Sequence, residues 1–73
     1  MVEVFKTNVH DADQANLLLN QIHNTFRGYK ANFDLEDCDK ILRIVSATEA
    51  MEASSFINLL HSYGFEAEIL PDY

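Results

Sequence analysis

The sequence predicts an α+β fold: an open-faced sandwich in which a four-stranded antiparallel sheet carries two helices on one face. Three observations point there. Four short stretches read as strands, by alternation of apolar and polar residues or by β-branched content. Two stretches between them repeat apolar residues every three or four positions, as helices do. Their order along the chain is β-α-β-β-α-β. The chain has 73 residues, room for one core, and no Pro/Gly/Ser linker or low-complexity tract divides it, so a single domain over residues 1–73 is expected.

The elements follow in order. Val2, Val4 and Phe5 among Glu3, Lys6 and Thr7 suit a first strand. Asp11, three residues before Gln14, has the spacing of a capping box and starts a helix. Ala15, Leu18, Leu19, Ile22 and Phe26 make its apolar stripe, and Arg27 and Gly28 close it. Tyr29, Ala31, Phe33 and Leu35 alternate with Lys30, Asn32 and Asp34 in the clearest strand of the four. Residues 36–39 then turn the chain into Ile41-Leu42-Arg43-Ile44-Val45, the second arm of a hairpin. Ser46 or Thr48 caps the next helix, with Glu49 at capping-box spacing from Ser46 and Glu52 adding charge near the start. Ala53, Phe56, Ile57 and Leu60 are its buried stripe and Gly64 its end. Phe65, Ala67 and Ile69 alternate with Glu66 and Glu68 in a last strand that Pro71 stops.

This order, two split βαβ units, is the ferredoxin-like arrangement. An internal echo fits it, since residues 20–24 (Asn-Gln-Ile-His-Asn) resemble residues 58–62 (Asn-Leu-Leu-His-Ser). At this length and order the whole chain resembles the heavy-metal-associated superfamily of ferredoxin-like domains. That family carries Cys-x-x-Cys between strand one and helix one, where two thiolates share a soft metal ion. Here the stretch reads Lys6-Thr7-Asn8-Val9-His10-Asp11-Ala12-Asp13, without a cysteine. The resemblance therefore implies the fold and not the metal activity. Residues 32–43 are also similar to small uncharacterised bacterial proteins of this type, a likeness that implies no function.

Charge narrows the partners. Twelve acids against five Lys and Arg give a net charge of −7, which repels phosphate backbones, so no nucleic acid is expected. RNA-recognition domains stack bases on aromatics of strands one and three; strand three here offers Ile41, Arg43 and Val45. The longest run of leucines is Leu17-Leu18-Leu19, so no membrane span is expected. The single Cys38 and a start, Val2-Glu3-Val4-Phe5, without a basic and then apolar signal pattern make cytoplasmic the expected location.

Enzymatic chemistry finds little to stand on. No nucleophile elbow, P-loop, H-E-x-x-H or dinucleotide fingerprint occurs, and two glycines leave no phosphate-cradling loop. Acylphosphatases share the fold but rely on a phosphate loop and an arginine near strand one, both lacking in residues 6–13. Cys38 sits among carboxylates, which disfavour its thiolate. The expectation is a non-enzyme without catalytic residues. Asp34, Glu36, Asp37 and Asp39 crowd a third of the acids into one turn, but without an EF-hand's glycine and closing glutamate they read as a solvated hairpin tip. His23 and His61 sit near negative helix ends, which explains them without a ligand. No metal or cofactor is expected; His10 with Asp11 and Asp13 are the candidate metal ligands.

The open sheet face is the candidate site. If Val2 and Val4 face the helices, Phe5 joins the other side, and Leu42 and Ile44 inward leave Ile41, Arg43 and Val45 outward. Phe5, Ile41, Arg43, Val45 and Leu70 then make an apolar centre with a polar rim of Glu66, Glu68, Lys30, Asn32 and Asp34, the anatomy of a protein-interaction surface. The expected function is a binding module for a protein partner or a second copy of the chain. The alternative is a divergent metal-handling domain or an ACT-like small-molecule sensor.

Overall fold

The computed structural model describes residues 2–46 and 52–71. Its elements are β1 (Val2–Thr7), α1 (Ala12–Thr25), β2 (Tyr29–Asp34), β3 (Ile41–Ser46), α2 (Ala53–Ser62) and β4 (Ala67–Ile69). The strands form one sheet in the order β2-β3-β1-β4, every neighbouring pair antiparallel. This is the ferredoxin-like α+β fold. The thinnest dimension, 18 Å, holds one sheet and one layer of helices about 10 Å across, so among the described residues no helix covers the other sheet face.

Local chemistry sets the element ends. Asp11 takes an extended backbone and its carboxylate accepts the Asp13 N–H at 2.9 Å, so α1 starts with one of its unpaired amides satisfied. The acidic residues of the hairpin tip act on their own backbone: Asp34 Oδ1 accepts the Glu36 N–H at 3.3 Å and Asp37 Oδ1 accepts the Asp39 N–H at 2.9 Å. Lys40 is held at φ +49°, its N–H donating to the Asp37 carbonyl at 3.0 Å and its Nζ to the Leu35 carbonyl at 2.9 Å. At the end of α2 the Phe65 N–H reaches the Leu60 carbonyl at 3.0 Å and the Gly64 N–H the His61 carbonyl at 2.9 Å. Those two bonds are a Schellman motif, and Gly64 supplies its left-handed residue at φ +89°.

The start of α2 differs from the sequence expectation. The N-cap of α2 is Glu52, and Ser46 is the buried last residue of β3, paired with Tyr29. Thr48 and Glu49 lie outside the described residues. The described helix begins at Ala53 behind Glu52, whose backbone carbonyl accepts the Ser55 N–H at 3.0 Å and whose side chain makes no cap bond.

The core lies between sheet and helices. Ala15, Leu18 and Ile22 of α1 and Phe56 and Leu60 of α2 meet Phe5, Val9, Leu42 and Ile44. Both helical stripes are as expected from their spacing. Phe56 sits at the middle of an aromatic group, with ring centroids 4.4 Å from Phe26, 5.5 Å from Tyr29 and 6.3 Å from Phe5.

Phe5 is therefore a correction. It is fully buried on the helix side of the sheet, paired with Leu42, instead of lying on the open face. β1 offers two alternating sets, Val2 and Val4 with Lys6, or Glu3 and Phe5 with Thr7. A phenyl ring buries more apolar area than a valine, and Glu3 at the strand's outer end stays only half-buried. The valines turn outward instead.

Candidate interaction surface

With the strand parity settled, the register maps the open face in three rows. Lys30, Val45 and Val2 lie side by side in the first. Asn32, Arg43 and Val4 form the second, and Leu70, whose N–H donates to the Val4 carbonyl at 2.9 Å, extends it. Asp34 beside Ile41, and Lys6 beside Glu68, form the third. Val2 is 56% exposed; Val4, Arg43, Val45 and Leu70 are half-buried. Ile41, Arg43, Val45 and Leu70 thus share this face as expected, while Val2 and Val4 take the place of Phe5. Ile41 is nevertheless fully buried, so it supports the surface without presenting itself.

The charge of this face is unlike that of the chain. Lys6, Lys30 and Arg43, three of the five cations, lie on it with Asp34, Glu68 and, just before β4, Glu66. Among the described residues that leaves Arg27 and Lys40 against seven acids, one of which, Asp39, reaches Lys6 Nζ at 3.9 Å. The apolar stripe Val2, Val4, Val45 and Leu70 is therefore set in a locally balanced field. A surface that meets another protein needs a dry apolar centre and a rim of either sign, and this one has both.

Thr7 anchors the far end of the sheet. Buried at 7% exposure, its Oγ1 donates to the Lys40 carbonyl at 2.6 Å and accepts the Val9 N–H at 3.2 Å, while its own N–H donates to the Asp39 carbonyl at 3.0 Å. Two long-range bonds went unforeseen by the sequence: the Ala31 N–H donates to His23 Nε2 at 3.2 Å, and the Glu66 N–H to Asn8 Oδ1 at 2.8 Å. Each pairs a helix or loop side chain with a strand whose position only the tertiary fold defines. His23 and His61 do occupy the last turns of their helices.

Metal and small-molecule readings gain no geometry. The carboxylate of Asp11 is engaged at the α1 cap, and His10, Asp11 and Asp13 form no ligand cluster; among the described residues the only close group is Asp37, Cys38 and Asp39, within 4.8 Å. There the Asp37 Oδ1 is already spent on the turn. A depression of about 310 Å³ between Lys6, Thr7, Asn8 and the start of β4 is at the lower end of the range for small-molecule sites, roughly 300–1,000 Å³. Among the described residues no buried polar side-chain atom lacks a hydrogen-bond partner. Among them, too, no helix is long and apolar enough to cross a membrane.

Comparison with family models, curated proteins and solved structures returns no match.

Proposed function

We propose that the chain is a small non-enzymatic binding module that pairs with a second copy of itself through the open sheet face. The observation that carries this is the coincidence of the apolar stripe, Val2, Val4, Val45 and Leu70, with a balance of Lys6, Lys30 and Arg43 against Asp34, Glu66 and Glu68. Two bodies of net charge −7 repel, and this face is where they approach at least cost while removing apolar side chains from water. Pairing also supports a core that, at this chain length, contributes about 3–5 kcal/mol. The lone Cys38 favours a reducing, cytoplasmic setting.

Light scattering coupled to size exclusion over a concentration series tests the reading. The wild-type chain elutes as a dimer that dissociates on dilution, and Val45→Glu is monomeric with unchanged circular dichroism. A wild-type chain monomeric at every concentration, or a Val45→Glu dimer, sinks it. Phe5 is unsuited to this test, because a charge there enters the core.

A further inference from the structure

The two edges of the sheet are not alike. On β2 the Ala31 N–H, which points away from β3, is taken by His23 Nε2 at 3.2 Å, so a side chain of α1 closes the middle of that edge. Among the described residues β4 has no such cover. The Leu70 N–H donates to the Val4 carbonyl, which makes Val4 with Leu70 a hydrogen-bonded pair of the antiparallel ladder. Hydrogen-bonded and non-bonded pairs alternate, so Lys6 with Glu68 is the next bonded pair, and Phe5 with Ile69 and Thr7 with Ala67 are not. The backbone N–H and C=O groups of Ala67 and Ile69 consequently point outward along the open edge.

The surroundings of that edge select an occupant. On the helix side, α2 and β4 border a depression of about 180 Å³ lined by Ile57, His61, Phe65, Glu66 and Ala67, with Ile69 43% exposed beyond it. On the other side stands the carboxylate of Glu68, with Glu66 at the entry to the strand. The Asn8 Oδ1 bond to the Glu66 N–H fixes where β4 begins, so the edge is formed in advance. A second copy does not suit it. In the two-fold antiparallel register that joins Ala67 of one chain to Ile69 of the other, Glu68 faces Glu68, and directly opposed like charges destabilise a strand pair.

We propose that the β4 edge takes up an extended cationic segment of another protein as a fifth strand, its aliphatic side chains facing α2 and its Lys or Arg side chains facing Glu66 and Glu68. Backbone pairing with Ala67 and Ile69 supplies affinity, and the two side-chain rows supply selectivity. The same glutamates that oppose self-pairing attract this partner. The inference stands independently of pairing through the open face.

The probe is a short end-blocked peptide alternating Lys and Val, titrated into ¹⁵N-labelled protein, with a Glu and Val peptide as its charge-reversed control. The Lys peptide is expected to shift the amides of Ala67 and Ile69 and slow their hydrogen exchange, and the Glu peptide to leave both unchanged. Glu66→Gln and Glu68→Gln each weaken binding by up to about fivefold. Ile69→Pro removes the outward N–H but spares the ladder to β1, so it abolishes binding while the Leu70 amide stays protected. Three outcomes overturn the proposal: no response at Ala67 and Ile69, equal binding of both peptides, or undiminished binding by Ile69→Pro. Shifts at these amides that follow protein dilution without peptide also overturn it, in favour of edge pairing between copies. Val45→Glu leaves this titration unchanged, so failure of the open-face reading and failure of this one are told apart.

Discussion

Thr7 shows how much one side chain holds in a domain this small. It ties the end of β1 to the hairpin tip through Lys40 and to the following loop through Val9, both from inside the protein. Thr7→Val keeps the shape and deletes the hydroxyl, leaving the Lys40 carbonyl without its donor and the Val9 N–H without its acceptor. Unmet buried groups cost about 1–3 kcal/mol, and each kcal/mol shifts Tm by roughly 4–8 °C at this chain size. Thermal melts followed by circular dichroism check this; a drop of under about 2 °C would place both groups in contact with water. Phe5→Ala goes further, at about 3–5 kcal/mol, which matches the whole margin expected of so short a chain. It should be unfolded at room temperature, whereas Val2→Ala, on a half-exposed strand end, stays within about 0.5 kcal/mol of wild type.

At the scale of elements, the helix ends carry readable chemistry. Gly64→Ala meets no atom within 4 Å of the added methyl, so its cost is the left-handed backbone alone, about 1–2 kcal/mol. Asp11→Ala removes the α1 cap for about 1 kcal/mol. Urea titrations of both variants should give these losses with unchanged slope, and a larger loss for Asp11→Ala would assign its carboxylate a role beyond capping. Asp11 and Gly64 were legible in the sequence because a cap acts on its own neighbours, and the stripes Ala15 to Phe26 and Ala53 to Leu60 were legible because a helix's period is long enough to count; α1 itself ends at Thr25, short of the Arg27 and Gly28 read as its close. β1 was not. Six residues with apolar side chains of both parities leave its facing to the volume that the core needs, and Phe5 fills that volume against Phe56. His23 on β2 and Asn8 before β4 were hidden for a related reason, since each bond joins residues brought together only by the finished sheet. On the open face, Arg43 and Val45 belong to a strand whose parity was read correctly and Leu70 follows the end of β4, while Phe5 exchanged places with its neighbours Val2 and Val4.

At the scale of the whole molecule, charge distinguishes the two proposed surfaces. The net charge of −7 is spread over a body 30 Å long and 18 Å thick. At about 0.01 M salt the Debye length is roughly 30 Å, so every acid of one copy acts on the next; at about 0.15 M it is roughly 8 Å, and charges behind the helix layer are screened from the open face. Pairing through Val2, Val4, Val45 and Leu70 keeps its apolar gain while the repulsion between bodies fades. The dimer should therefore tighten as salt rises across this range, when its dissociation is followed by light scattering. Docking of a cationic strand beside Glu66 and Glu68 draws on attraction to the same acids and should weaken over the same range, when amide shifts of Ala67 and Ile69 are followed. A dimer that loosens with salt would mean that Lys6, Lys30 and Arg43 hold the copies together by ion pairs and that the valines are incidental. A peptide whose affinity ignores salt would reduce the edge to backbone pairing without charge selection. Opposite slopes on one chain, measured in the same buffers, are the signature of an apolar face and a charged edge working separately.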